Sequence, residues 1–173
     1  HLGLQALAIH EHQGVVDKFV GDSVMAFWGP PFTLTEDHVL LACRAACGQL
    51  AALEVFRREL PELTGLRKDP PPIDLRIGIC TGEVVVGNIG SENERSYTVI
   101  GDTVNLAARL ESANRIYGTQ ILLDETTAQA LGRHFETREV DSIAVKGKTE
   151  STRIFELLGS AGQVPENVLR LRE

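Results

Sequence analysis

The sequence has few aromatic residues and no excess of positive charge. Phe, Trp and Tyr make up 5% of its 173 residues, and 17 Lys and Arg stand against 24 Asp and Glu for a net charge of −7. Surfaces that bind RNA or DNA need clustered cations, and single strands also need aromatic platforms. The composition therefore argues against nucleic acid as a partner and against an RNA-binding domain.

Cysteine is also scarce. The odd number of three cysteines argues against a disulfide framework and for a reducing compartment, so we expect a cytoplasmic domain. Cys43 and Cys47 share one predicted helix face, but no nearby His or Cys pair completes a metal site around them. We predict that both are buried small side chains rather than ligands.

Long apolar runs and a leader peptide are missing as well. No stretch approaches the roughly 18 apolar residues that a membrane span requires. The chain opens on residues 1–4 without Met or a basic region. We therefore expect a domain with no membrane contact of its own, cut from a longer parent chain that is either soluble or membrane-tethered.

The length and the 43% apolar content are enough for one domain with a proper core. We predict that this domain covers residues 1–159 and that residues 160–173 form a loosely held tail. Helical and strand patterns are intermixed along the chain, with several hairpins. This mixture predicts an α/β or α+β fold with a mixed sheet.

The local patterns predict particular elements. A helix over residues 2–12 stops at Gly14, and residues 15–20 and 23–28 form a hairpin around Gly21 and Asp22. A long helix begins at Asp37 and ends near residue 59. Residues 73–81 and 83–89 form a second antiparallel pair around Gly82. The helix after Gly101 ends near Gly118, Asp124 caps a short helix to residue 131, and residues 134–146 and 152–158 form the last strands.

Residues 97–110 are the stretch around which the chain is organised. They predict a strand, a tight turn at Gly101, and a helix with Asp102 or Thr103 as its N-cap. Asn105 and Arg109 are one helical turn apart and project from the same face. Such a pair is either part of an ordinary solvated face or a polar site, and the rest of the chain favours a site.

Four stretches resemble the catalytic domain of the class III nucleotidyl cyclases. They are VVDKFVGDSVMAFWG at residues 15–29, RIGI through GEVVVGNIG at 76–90, YTVIGDTVNLAARL at 97–110 and VKGK at 145–148. The resemblance runs from about residue 14 to about residue 158, in the family's order and spacing. It implies the class III cyclase fold, a ferredoxin-like mixed sheet flanked by helices, which lacks its first strand in this chain.

The resemblance implies two divalent metal ions, Mg²⁺ or Mn²⁺, with Asp22 as a ligand. An Asp in a turn exposes oxygens that suit a hard cation, although turns also favour Asp for structural reasons. The family's other metal-binding Asp lies on a strand before the first helix, so we expect it upstream of His1. The residues present would supply half of the metal site, and we expect this fragment alone to turn over poorly.

The resemblance also implies how the base is read. Lys18 would donate to adenine N1, and the hydroxyl or a neighbouring carbonyl at Thr98 would accept from the 6-amino group. Guanine presents the inverse edge, so a Lys/Thr pair indicates ATP rather than GTP. The alternative for Lys18, which lies among apolar neighbours, is a side chain that extends from a sheet edge into solvent.

The remaining substrate contacts come from the resemblance too. Asn105 would orient the ribose, and Arg109 would stabilise charge on the α-phosphate as the 3′-oxygen attacks. Lys146 would bind the terminal phosphates, with Lys148 in its place if that turn is shifted. The resemblance implies a head-to-tail homodimer with shared sites: Asp22 acts from one subunit, and Lys18, Thr98, Asn105, Arg109 and Lys146 act from the other.

These expectations together describe an adenylyl cyclase that converts ATP to 3′,5′-cyclic AMP and pyrophosphate in intracellular signalling. Two alternatives stay open, a non-catalytic cyclase-like module that binds a nucleotide or a partner, and a guanylyl cyclase. An upstream metal-binding Asp would argue against the first, and Lys18 argues against the second. Some members of the Lys/Thr subclass are activated by bicarbonate, so bicarbonate regulation is a further open question.

Overall fold

The structure is a computed structural model that describes residues 2–34, 36–65, 73–91, 95–144 and 151–169. The chain folds into two compact units, His1–Leu75 and Arg76–Glu173. The helices and strands are, in chain order, α1 (Leu2–Glu11), β1 (Val15–Val20), β2 (Ser23–Phe27), α2 (His38–Thr64), β3 (Ile77–Ile79), β4 (Val85–Gly90), β5 (Arg95–Ile100), α3 (Asp102–Tyr117), β6 (Ile121–Asp124), α4 (Glu125–Leu131), β7 (Phe135–Ala144), β8 (Ser151–Ser160) and α5 (Glu166–Leu169).

The first unit packs α1 against α2 and against the β1–β2 hairpin. The predicted stop of α1 at Gly14 is wrong in its detail, because Gln13 is the residue with left-handed backbone, at φ 59°. The Gly14 N–H donates to the Ile9 carbonyl and the Gln13 N–H to the His10 carbonyl, at 2.8 and 3.0 Å, which is a Schellman arrangement. Gly14 is needed for space instead, since a Cβ there would lie 2.5 Å from the Trp28 ring.

The long helix α2 continues past its predicted end near residue 59 and past Pro61, and stops at Gly65, where φ is 69°. A proline inside a helix removes one backbone hydrogen bond, a cost of about 3 kcal/mol. The turn that precedes Pro61 is held by contacts outside the helix. Leu60 is buried, and the Arg57 guanidinium donates to the Ile73 carbonyl and to the Asp74 carboxylate at 2.6–2.8 Å.

One helix among the described residues, His38–Leu63, is long and apolar enough to cross a membrane, with a mean hydropathy of 1.6. The expectation that no segment approaches this limit was therefore too strict. The buried core helix of a water-soluble domain meets the same criteria of length and composition. Here the apolar residues of α2 form part of the core of the unit: Cys43, Ala45, Ala46 and Leu53 are all buried.

The second unit is built on a four-stranded sheet in the order β3-β6-β8-β7. β3 runs parallel to β6, and the β6–β8 and β8–β7 pairs are antiparallel, so the sheet is mixed. Helix α3 packs on β3 and β6, and α4 packs on β6 and β8. One buried cluster in the core of this unit contains Leu106, Leu110, Leu122 and Ile154, which are at most 6% exposed.

The predicted antiparallel pair around Gly82 is wrong. β3 pairs in parallel with β6, where Gly78 faces Leu122, while β4 pairs antiparallel with β5, where Val86 faces Val99. A strand pattern in sequence shows which residues can be extended, but the partner strand is chosen by packing between distant segments. The β1–β2 hairpin, the helix after Gly101 and the β7–β8 pair are confirmed.

Candidate active site

The segment from β5 into α3 carries the largest group of predicted site residues. α3 begins at Asp102 directly after β5, and its N-cap is Gly101, so the prediction of Asp102 or Thr103 as N-cap is wrong. The Gly101 carbonyl accepts from the N–H groups of Val104 and Asn105 at 3.1 and 3.4 Å. The Thr103 hydroxyl donates to the Glu83 carbonyl at 3.3 Å, which joins the start of α3 to the segment before β4.

Asn105 and Arg109 are exposed and lie one turn apart on α3. Between and beside them on the helix, Leu106 and Leu110 are 6% and 0% exposed and belong to the core of the second unit. The apolar face therefore fixes the rotation of α3 about its axis. As a result, the amide and the guanidinium are presented together on the accessible side of the helix.

The depth of α3 is set by its contact with β3. A Cβ built on Gly78 would lie 2.1 Å from the Ala107 carbonyl oxygen and 2.5 Å from the Glu111 nitrogen. The helix backbone therefore rests directly on the strand backbone, which only a glycine permits. Ala107 lies midway between Asn105 and Arg109, so this contact supports the part of the helix that bears the polar pair.

A buried amide locks the C-terminal half of the same helix. The Asn114 side chain is 0% exposed, and its nitrogen donates to the carbonyls of Ile77 and Leu110 at 2.9 Å. Its oxygen accepts from the Thr119 hydroxyl at 2.8 Å. Asn114 therefore links β3, α3 and the turn after α3 through the hydrogen bonds of its buried side chain.

The loop after β3 is held by the N-terminus of α4. Asp124 caps α4 as predicted: its Oδ1 accepts from the Thr127 N–H at 3.2 Å and from the Thr127 hydroxyl at 2.5 Å. The same oxygen accepts from the Thr81 N–H at 3.2 Å. This network holds Thr81, and two residues further along the chain the Glu83 carbonyl accepts from the Thr103 hydroxyl.

Thr98 lies on β5 opposite Gly87 of β4 and is 6% exposed. Near it, an open concavity of about 370 Å³ is lined by Glu83, Val84, Val85, Ile100 and Gly101. Val85 and Ile100 face each other across the two strands and are 63% and 48% exposed. None of the predicted site residues lines this concavity, so its shape alone does not mark a nucleotide site.

Lys18 and Asp22 lie in the first unit, on β1 and in the turn of the hairpin. Asp22 is exposed beside Gly21, whose φ is 62°, as expected for this tight turn. The Lys18 side chain is 44% exposed, and its ammonium lies 3.6 Å from the carboxylate of Asp17. Lys18 is therefore neither buried nor unpaired, so this apolar strand does not contain an isolated buried ammonium group.

Asp22 offers one exposed carboxylate, which fits a single ligand position of a hard cation. Among the described ranges, no three or more His, Cys, Asp or Glu side chains converge on one point. These residues by themselves therefore do not make a complete two-metal site. The half-site expected from the sequence has the right chemistry at Asp22.

The predicted site residues are thus distributed over the chain. Lys18 and Asp22 belong to the first unit, whereas Thr98, Asn105 and Arg109 belong to one continuous strand–helix segment of the second. Lys146 and its alternative Lys148 lie outside the described residues.

Two residues that position α3 were not found from the sequence, Gly78 and Asn114. A signal existed for Asn114, which continues the apolar spacing of Leu106 and Leu110. Gly78 gave no signal, because a glycine in a short strand does not reveal which backbone it touches.

The family described as the adenylate and guanylate cyclase catalytic domain matches residues 7–158. The chain belongs to this family. The match confirms the resemblance found in the motifs, and it spans the hairpin with Lys18 and Asp22 as well as the segment with Asn105 and Arg109.

Individual relatives agree with this assignment. The chain is 36% identical to adenylate cyclase 1 of Rhizobium meliloti over 148 residues, which are 86% of this chain and 21% of that protein. The chain therefore spans about a fifth of the length of that relative.

Solved cyclase structures share the fold. The adenylyl cyclase CyaB from P. aeruginosa aligns with a TM-score of 0.80 and 30% identity, over 95% of this chain and 81% of that one. The guanylyl cyclase Cya2 aligns with a TM-score of 0.73 and 34% identity, over 94% of this chain and 78% of that one. The predicted α+β fold, a mixed sheet flanked by helices, is confirmed as that of the class III cyclases.

Proposed function

We propose that residues 1–159 are the catalytic domain of an adenylyl cyclase, which converts ATP to 3′,5′-cyclic AMP and pyrophosphate. The observation that carries the proposal is the exposed Asn105–Arg109 pair on α3. The position and rotation of this helix are set by its backbone contact with β3 and by its buried leucines. Catalysis by charge stabilisation requires such preorganised groups, because a donor that must reorient during the reaction contributes less. The family match and the adenylate cyclase relatives support the same activity.

In this proposal Arg109 donates to the α-phosphate, where negative charge increases as the ribose 3′-oxygen attacks phosphorus. Asn105, on the same face of α3, orients the ribose so that this oxygen is in line with the leaving pyrophosphate. No protein nucleophile is needed, since the attacking hydroxyl belongs to the substrate. Lys146 neutralises the terminal phosphates, a role that rests on its motif alone.

The base is read by Lys18 and Thr98. An ammonium group can only donate, so Lys18 suits the N1 acceptor of adenine and not the N1–H donor of guanine. The position of its ammonium beside the buried Asp17 carboxylate supports a defined rather than a freely mobile donor. This argument favours ATP over GTP, although a guanylyl cyclase is among the structural relatives.

Asp22 supplies one ligand to the divalent metals, Mg²⁺ or Mn²⁺. When bound, such ions would lower the pKa of the ribose hydroxyl and neutralise phosphate charge. We further propose that the domain works in the cytoplasm as a homodimer with two shared sites. The exposed Phe19 and Val20 at the end of β1, 53% and 61% exposed, support an apolar contact with another subunit.

The activity is tested by incubating the natural full-length protein with ATP or GTP and Mn²⁺, and measuring both cyclic nucleotides. Arg109→Ala should lower kcat by about 10²–10³-fold, the loss typical of one transition-state donor. Arg115→Ala is the matched control, an exposed arginine on the same helix, and should keep its activity. Cyclic GMP as the main product would favour the guanylyl cyclase, and nucleotide binding without turnover would favour the non-catalytic module.

The shared site is tested by mixing two inactive variants. Asp22→Ala and Arg109→Ala homodimers each have two damaged sites, whereas a mixed dimer carries both lesions in one site and leaves the other intact. Random mixing makes about half of the dimers mixed, so roughly a quarter of wild-type activity should return. If subunits that are shown to exchange recover no activity, both residues act within one chain.

A further inference from the structure

The β1–β2 hairpin contains an irregularity directly beside the proposed base-reading lysine. Val16 pairs with Ala26 and Lys18 pairs with Met25, so Asp17 is an extra residue with no partner position on β2. This is a β-bulge, a feature that redirects the side chains next to it.

The bulge explains how two consecutive side chains come to interact. In a regular strand, neighbouring side chains point to opposite faces of the sheet. Here Asp17 Oδ2 and Lys18 Nζ are 3.6 Å apart. Adjacent residues of an undistorted strand would not be expected to form this pair, so the bulge and the ion pair belong to one local arrangement.

The two members of the pair have different surroundings. The Asp17 side chain is 0% exposed, whereas the Lys18 side chain is 44% exposed. A fully buried carboxylate has little room to reorient, while a half-exposed lysine otherwise samples many rotamers. Asp17 therefore acts as the fixed point that restricts where the ammonium can lie.

We propose that Asp17 is a positioning residue for base recognition: held in the bulge, it orients the Lys18 ammonium toward the acceptor edge of adenine. The inference rests on the proposed role of Lys18 and assigns a further residue to specificity. Asp17 touches no substrate in this scheme. It acts through Lys18: by restricting the conformations of the free lysine side chain, it reduces the entropy that this side chain loses when the nucleotide binds.

The test is a double-mutant cycle in the natural full-length protein, with wild type, Asp17→Asn, Lys18→Ala and the double variant. The readouts are kcat and KM for ATP and for GTP, together with the thermal midpoint. Asp17→Asn should lower the ATP-over-GTP ratio of kcat/KM by about fivefold, a modest change because the pair is half-exposed. In the Lys18→Ala background the same substitution should leave the ratio unchanged.

Two further variants serve as a control and as a substitute for Asp17→Asn. Asp74→Asn removes a carboxylate from another ion pair of the same unit, with Arg57, and should leave the ratio unaltered. Asp17→Ser, with a smaller polar side chain, repeats the measurement if Asp17→Asn does not fold.

The outcomes separate the inference from the function on which it rests. If Lys18→Ala leaves the nucleotide preference intact, the proposed base-reading role of Lys18 is wrong and the inference falls with it. If Lys18→Ala changes the preference but the Asp17 variants do not, only the inference is overturned. An Asp17 effect of equal size in both Lys18 backgrounds would also overturn it, because that result indicates a purely structural carboxylate.

Discussion

Gly78→Ala should damage both the stability and the activity of this domain. The new Cβ would lie 2.1 Å from the Ala107 carbonyl oxygen, 2.5 Å from the Glu111 nitrogen and 3.0 Å from the Leu110 Cβ. Two of these atoms belong to the backbone of α3, so no side-chain rotation can relieve the contact. The helix must move away from β3 by roughly 1 Å.

The size of the effect follows from that displacement. Overpacking of a core costs about 1–3 kcal/mol, and we expect the upper end because the contacting atoms are helix backbone. With a urea m-value of about 2 kcal/mol/M, the unfolding midpoint should fall by about 1.5 M at unchanged m. Asn105 and Arg109 flank Ala107, and a misplacement of about 1 Å can lower kcat by roughly 10²-fold.

Urea unfolding of the purified chain and steady-state kinetics of the natural full-length protein measure the two effects. Gly87→Ala is the matched control, also a strand glycine of the second unit, with no atom within 4 Å of the position of its new Cβ. It should change the free energy of unfolding by no more than about 0.5 kcal/mol. An unchanged midpoint and kcat in Gly78→Ala would refute direct backbone contact between β3 and α3.

Three further predictions concern other parts of the structure. Asn114→Asp should lower the free energy of unfolding by about 2–3 kcal/mol, because a carboxylate oxygen would replace the nitrogen that donates to the Ile77 carbonyl. The Tyr117 hydroxyl donates to the Asp141 carboxylate, which lowers the pKa of Asp141 and raises the pKa of Tyr117. Tyr117→Phe should therefore lower the stability of the domain only over a defined pH range. The stability from Asp141 is present above its unfolded pKa of about 4 and is lost as the pH falls through its folded pKa, while the stability from Tyr117 is lost as the pH rises through its raised pKa. Burial raises the pKa of the Cys43 thiol, so thiol reagents at neutral pH should label Cys43 only after unfolding, as peptide mass spectrometry would report.

Each of these has a control and an opposing result. Asn88→Asp, at an exposed position of β4, should be nearly neutral, and an equal loss at both positions would contradict the role of the buried amide. A Tyr117→Phe effect that persists unchanged under strongly acidic conditions would show that it does not come from Asp141. Labelling of Cys43 in the native state at the rate of a free thiol would contradict its burial.

The sequence was sufficient for elements that depend on neighbouring residues. The hairpin around Gly21 and Asp22, the start of α4 at its cap Asp124, and the end of α3 at Gly118 were all predictable. These features are decided by turn chemistry and capping within a few residues. Helical spacing also placed Asn105 and Arg109 on one face, because that relation needs only the period of the helix.

The tertiary structure alone decided the partner of β3, the extension of α2 past Pro61 and the support beneath α3. Each depends on contacts between residues far apart in the chain: β3 with β6, Arg57 with Ile73, and Gly78 with Ala107. The bulge that brings Asp17 to Lys18 is of the same kind, since it depends on how β1 registers against β2. Sequence patterns report the local conformational preference of a few neighbouring residues. Strand register, the distance between a helix and its sheet, and the partners of buried side chains depend on how whole elements pack together. The free energy of that packing comes from residues far apart in the chain.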